Sequence, residues 1–96
     1  GVKTCRETEG AVLVDVRDRE EYAQGHIAGS INIPLRELQL IEDAVPDPDT
    51  PLFVHCLAGT RSAQAVMMFK RMGYTDARNI GGIQNWKGEV EKGSSW

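Results

Sequence analysis

Apolar positions along the chain come in short runs separated by polar, glycine-rich or proline-rich joints. Ala11-Val12-Leu13-Val14 is continuous, with Gly10 before it and Asp15 after it. Such a run fits a strand buried on both faces, as in a parallel sheet. Asp18 is a good N-cap, Glu20 and Glu21 fill the first turn and Gly25 stops the pattern, which predicts a short helix over Asp18 to Gln24. Ser30-Ile31-Asn32-Ile33 alternates and ends at Pro34, the pattern of a short strand. Leu35, Leu38 and Ile41 stand at helical spacing and predict a helix from about Leu35 to Glu42.

Pro46-Asp47-Pro48-Asp49-Thr50-Pro51 is a loop, because its prolines forbid helix and discourage a central strand. Leu52 to His55 reads as the next buried strand. From Thr60 a helix is expected to about Met72, with Ala63, Val66, Met67 and Lys70, or Met68, Phe69 and Met72, supplying a broad apolar face and Gly73 as its cap. Asp76 to Ile80 predicts a further strand, and Gly81-Gly82 opens a last short helix carrying Ile83, Trp86 and Val90. Short apolar strands alternating with helices imply a parallel sheet covered on both faces.

The length of 96 residues sets one domain, 1–96, with its core from about 11 to 90 and a loose tail over 91–96. The formal net charge of −3 leaves no basic footprint, which argues against a nucleic-acid partner. No apolar run reaches the roughly 18 residues that span a bilayer, so no membrane partner is expected. Gly1 to Cys5 lacks the apolar core of a signal peptide. Two cysteines, Cys5 and Cys56, are too few for a disulfide framework. A working thiol suits a reducing compartment, and the cytoplasm is the expected location. The histidines and cysteines show no ligand spacing, so no metal and no cofactor are expected.

The chemistry concentrates in Cys56-Leu57-Ala58-Gly59-Thr60-Arg61-Ser62. Cys56 stands at the carboxyl end of a predicted parallel strand, where ligand sites of such folds lie. The turn after it leads into a helix N-terminus, whose unpaired N–H groups and dipole favour an anion. Gly59 permits a tight turn, and successive N–H groups in such a turn form an anion nest. These features favour a thiolate. Arg61 adds a permanent planar cation, for an oxyanion or for closing the loop on itself, and Thr60 and Ser62 add hydroxyl donors.

Around this loop, the chain resembles a rhodanese-like domain, a single-domain sulfurtransferase. One signature is Asp15-Val16-Arg17, Glu21-Tyr22 and Gly25-His26-Ile27-Ala28-Gly29-Ser30-Ile31-Asn32-Ile33-Pro34. The other is the Cys56 to Ser62 loop, followed by Gly73-Tyr74, Gly81-Gly82-Ile83 and Trp86. The resemblance implies a three-layer α/β/α fold around a parallel sheet. Members commonly carry a strand and a helix before the region of Val12, and Lys3 to Glu9 is too short for both, so four or five strands are expected. It also implies that Cys56 is the sulfur acceptor. Its thiolate attacks a donor such as thiosulfate, and the persulfide passes its sulfur to cyanide or a thiol. The backbone N–H groups of Leu57, Ala58, Gly59, Thr60 and Arg61 would cradle the persulfide, with Arg61 organising the loop and facing the anion. With Leu57-Ala58 after Cys56, Arg61 is the loop's only cation, which suits dianionic thiosulfate poorly and makes a sulfur-carrier protein a candidate partner as donor. Related phosphatases and arsenate reductases have a loop one residue longer; four residues separate Cys56 from Arg61, which favours sulfur. A non-catalytic interaction module is the other alternative, and intact Cys56 and Arg61 argue against it.

Other residues read as structural. Asp15 and Arg17 suit a buried ion pair. His26 belongs to a structural signature, and the mechanism needs no base. His55 neighbours Cys56 along a strand, so their side chains point to opposite faces and form no dyad. Met67, Met68 and Met72 are helix packing. Cys5 is expected to be a mobile surface thiol, and Trp86 to anchor the last helix in the core.

Overall fold

The computed structural model describes residues 2–83, 86 and 88–93. Four parallel strands form the central sheet, in the order β3-β1-β4-β5. They are β1 (Val12–Asp15), β3 (Ile31–Asn32), β4 (Leu52–Cys56) and β5 (Ala77–Gly82). The central pair holds β1 and β4 in register from Val12↔Leu52 to Asp15↔His55. Every residue of β4 is buried, as its apolar run requires.

Side chains alternate between two cores. Val14, Leu52, Val54 and Cys56 pack with Ala65 and Phe69 of α4 (Thr60–Arg71). Leu13 and Phe53 face the other way and pack with Val2 and Cys5 of α1 (Val2–Glu7), with Ile83 and Trp86 against them. Helices therefore lie on both faces of a four-stranded sheet. The short segment before Val12 supplies the helix α1, which extends the core ahead of residue 11. Cys5 is 5% exposed there, so the expectation of a surface thiol is corrected: the helical pattern points it at Leu13 and Phe53.

Several boundaries differ from the sequence expectation. Leu35–Leu40 is a 3₁₀ helix kinked at Glu37, and only Ile41–Ala44 (α3) is α-helical. The Glu37 carboxylate accepts a 2.6 Å bond from Arg19, while Leu38, Ile41 and Val45 are buried. β5 runs on through Gly81-Gly82 instead of opening a helix there, because Gly82 pairs with Cys56. Val90 belongs to a strand, β6 (Val90–Glu91), which pairs antiparallel with β2 (His26–Ile27). The expected last helix otherwise falls partly on 84, 85 and 87, outside the described residues. The expected tail is tied down at its start: Glu91 sits in β6 and the Gly93 N–H donates to the Ala23 carbonyl at 2.8 Å. Residues 94–96 of that tail also lie outside the described residues.

The first signature forms a polar knot beside the sheet. Arg17 and Asp15 make a buried ion pair at 2.8 Å, as expected, and Arg17 also donates to the Gly25 carbonyl at 2.7 Å. Asn32 Nδ2 donates to the carbonyls of Asp15 and Arg17. His26 stacks on Tyr22 at 3.6 Å, and its Nδ1 donates to the Tyr22 carbonyl at 2.7 Å. These bonds fix α2 (Arg19–Gln24) relative to β1 and β3. His55 points to the α1 face, away from Cys56. Among the described residues neither of its buried ring nitrogens has a hydrogen-bond partner, and burial pushes its pKa down.

Candidate active site

The carboxyl end of β4 delivers Cys56 to a loop that curls back over its own sulfur. The Gly59 N–H donates to Cys56 Sγ at 3.0 Å, and Gly59 holds φ +97°, a left-handed value that favours glycine. Cys56 Sγ–H donates to Ser62 Oγ at 3.4 Å. Burial pushes the Cys56 thiol up, but the Ser62 hydroxyl and the N–H groups of Ser62, Gly59 and Ala58 outweigh it, so the net direction is down. The thiol is thus prepared for ionisation by the Ser62 hydroxyl and by backbone N–H groups at the start of α4.

The loop rests on β5. A Cβ on Gly82 would lie 2.8 Å from Ala58 Cα and nearer still to the Leu57 carbonyl oxygen. Only glycine admits the loop at that distance. Leu57, Ala58 and Thr60 are exposed at the rim, whereas Ser62 is fully buried beneath Cys56.

Arg61 organises the loop through a partner 40 positions away in sequence. Its guanidinium donates to both carboxylate oxygens of Glu21, at 2.6 and 3.0 Å. Glu21 also accepts the Asp18 N–H at 3.0 Å, capping α2. The Arg61 guanidinium beside Glu21 holds its carboxyl at about 2, well below 4.5. The expected anion-facing cation is therefore already matched by a carboxylate, and backbone N–H groups carry most of the loop's attraction for negative charge.

Of the loop residues expected from the sequence, Gly59 and Ser62 bond to the Cys56 sulfur, Arg61 is turned to Glu21, and Leu57, Ala58 and Thr60 stay at the rim. Glu21 and Asn79 are the two that sequence reasoning missed as site residues. Asn79 Oδ1 accepts the Ser62 hydroxyl at 2.7 Å, and its Nδ2 donates to the Gly59 carbonyl at 3.3 Å. Glu21 stood in the first signature without a partner, and nothing in the strand pattern marks Asn79 as facing the loop. Among the described residues no group of three or more His, Cys, Asp or Glu side chains is placed to hold a metal ion.

A parallel sheet with a cysteine loop between its central strand and the next helix defines a class, and the comparisons with known proteins identify it. The chain belongs to the rhodanese-like domain family, which matches residues 2–89. It is similar to the thiosulfate sulfurtransferase PspE of Escherichia coli, at 45% identity over 75% of this chain and 70% of that protein. It is also similar to the thiosulfate sulfurtransferase GlpE of Pseudomonas aeruginosa, at 37% identity over 90% of this chain and 77% of that one. Among solved structures, a rhodanese with anions from E. coli superposes with a TM-score of 0.80 and 42% identity, covering 86% of this chain and 99% of that one. The chain is a sulfurtransferase of the rhodanese type.

Proposed function

We propose that Cys56 is the sulfur carrier of this sulfurtransferase, with thiosulfate or a persulfide as donor. The observation that carries the reading is the Gly59 N–H on Cys56 Sγ at 3.0 Å, and the four-residue spacing from Cys56 to Arg61 favours sulfur as the group carried. The thiolate attacks the outer sulfur of thiosulfate, an S–S bond forms on Cys56, and the donor S–S bond breaks with sulfite leaving. The persulfide that results is held by the N–H groups of the loop. A nucleophile, cyanide or a thiol, then attacks the outer sulfur, and the Cys56 thiolate departs with the bonding pair. Leu57, Ala58, Gly59, Thr60, Arg61 and Ser62 bind donor and persulfide, with Arg61 acting mainly through its bond to Glu21.

The acceptor is a small thiol, cyanide or a sulfur-carrier protein. Among the described residues no helix is long and apolar enough to cross a membrane. The chemistry needs a free thiol, so a reducing compartment such as the cytoplasm is the proposed setting. Production of thiocyanate from thiosulfate and cyanide tests the reading. Activity in the wild type that Cys56→Ser abolishes supports it; activity that survives the substitution overturns it.

A further inference from the structure

We propose that Asn79 is a positioning residue: it decides whether the single hydroxyl proton of Ser62 points to β5 or to the sulfur of Cys56. The inference rests on Cys56 being the reacting thiol. Ser62 Oγ reaches Asn79 Oδ1 at 2.7 Å, the Gly59 carbonyl at 3.0 Å and, at 3.4 Å, Cys56 Sγ, which donates as a thiol and accepts as a thiolate. It has one proton for them. The shortest distance is to Asn79. With the proton there, an oxygen lone pair faces Cys56 and accepts its S–H, the arrangement that suits the thiol.

The amide orientation is fixed by its neighbours. The Gly81 N–H is only a donor, and it lies 2.9 Å from Asn79 Oδ1; the Gly59 carbonyl is only an acceptor, and it lies 3.3 Å from Nδ2. Both require the oxygen to face Ser62. Strand register produces this placement. Asn79 pairs with Val54, and the next pair is His55 with Gly81, so Ile80 is an extra residue. Such a bulge re-aims a side chain and here turns the Gly81 N–H back onto Asn79.

When Cys56 ionises, its sulfur becomes an acceptor only. The Ser62 proton then swings to the sulfur, and Asn79 Oδ1 keeps the Gly81 N–H, so no acceptor is left bare. Asn79 therefore competes with the thiolate for one proton. The charged groups nearest the loop are Arg61 of α4 and its partner Glu21 of α2, with Asp18 beyond them. On β5 the charged Arg78 pairs with Asp76 and lies over Phe53, on the opposite face. Asp15, Arg17 and His55 also lie on that face. None of these groups touches Ser62, so the hydroxyl is the element that Asn79 controls.

The test is the pH profile of Cys56 alkylation by iodoacetamide, followed by peptide mass, in wild type, Asn79→Leu, Ser62→Ala and the double variant. Asn79→Leu is expected to move the midpoint to lower pH, raising the rate at pH values below both midpoints about tenfold, one pKa unit. Ser62→Ala is expected to move it up, and Asn79→Leu to cause no further shift once Ser62 is gone. Absence of a shift in Asn79→Leu, or the same shift with and without Ser62, overturns the proposal. Asn79→Ala repeats the cycle with a smaller side chain if the leucine is not accommodated. Thiosulfate loading of the wild type is measured alongside. A wild type that takes up no sulfur overturns the carrier reading, and the alkylation profiles still decide the role of Asn79.

Discussion

Cys5 and Cys56 are both buried free thiols, one on each face of the same sheet, and their surroundings push them in opposite directions. Cys5 sits on α1 among Val2, Leu13, Ile27 and Phe53, and burial pushes its thiol up. Cys56 is more enclosed still, at 1% exposure, yet its thiol is pushed down. The difference lies in oriented donors. The loop aims the Gly59 N–H and the start of α4 at one sulfur, whereas Cys5 meets mainly apolar neighbours. Burial alone makes a cysteine a packing residue; burial beneath a curled loop with oriented donors favours its thiolate. The sheet between them also keeps Cys5 and Cys56 from pairing directly as a disulfide.

The sharpest way to break this contrast is to exchange the two thiols for hydroxyls. Cys56→Ser is expected to lower thiocyanate formation on the order of 10⁴-fold or more, as loss of a covalent nucleophile does. Cys5→Ser is expected to leave the rate within about twofold, because no step uses it. Equal losses in the two variants would erase the distinction.

A second way is to spoil the donors while keeping the sulfur. Gly82→Ala drives a methyl into the Leu57 carbonyl and Ala58, displacing the loop. Overpacking of this kind costs about 1–3 kcal/mol, read as a fall in denaturant midpoint. Cys56 alkylation is expected to shift to higher pH with it. An unchanged profile would mean that the loop backbone does not set the thiol.

The Glu21–Arg61 pair gives a smaller, pH-dependent effect. Its side chains are about one-third exposed, so Glu21→Gln is expected to cost about 1 kcal/mol or less at neutral pH. Glu21 titrates at about 2 in the folded chain against 4.5 unperturbed, so its contribution is complete above 4.5 and is lost as pH falls toward 2. The stability gap between wild type and Glu21→Gln should close over that window in denaturant titrations. A gap that persists at the acid end would assign the pair another role. On the stability scale Cys5→Ala is expected to cost a similar amount, ~1 kcal/mol, with activity retained, which checks that Cys5 only fills space.

The parts that were legible in the sequence are those with strong local signals. The apolar runs of β1 and β4 and the spacing from Cys56 to Arg61 sufficed for the sheet and the loop. The β2–β6 ribbon was not legible, since two-residue strands carry no period and Val90 reads equally well on a helix face. The kink at Glu37 falls inside a run with no glycine or proline to mark it. The site itself is completed by contacts between distant positions: Arg61 meets Glu21 across 40 residues, and Ser62 meets Asn79 across 17. Local pattern carries no record of such pairs. His55 shows the opposite case, where strand alternation alone placed it correctly on the far face.

The most direct measurement is the intact mass of the wild-type chain after thiosulfate treatment, followed by peptide mapping under non-reducing conditions. A gain of one sulfur atom on the peptide that carries Cys56, reversed by cyanide, is the predicted result. No gain, or a gain on the peptide that carries Cys5, would contradict the account.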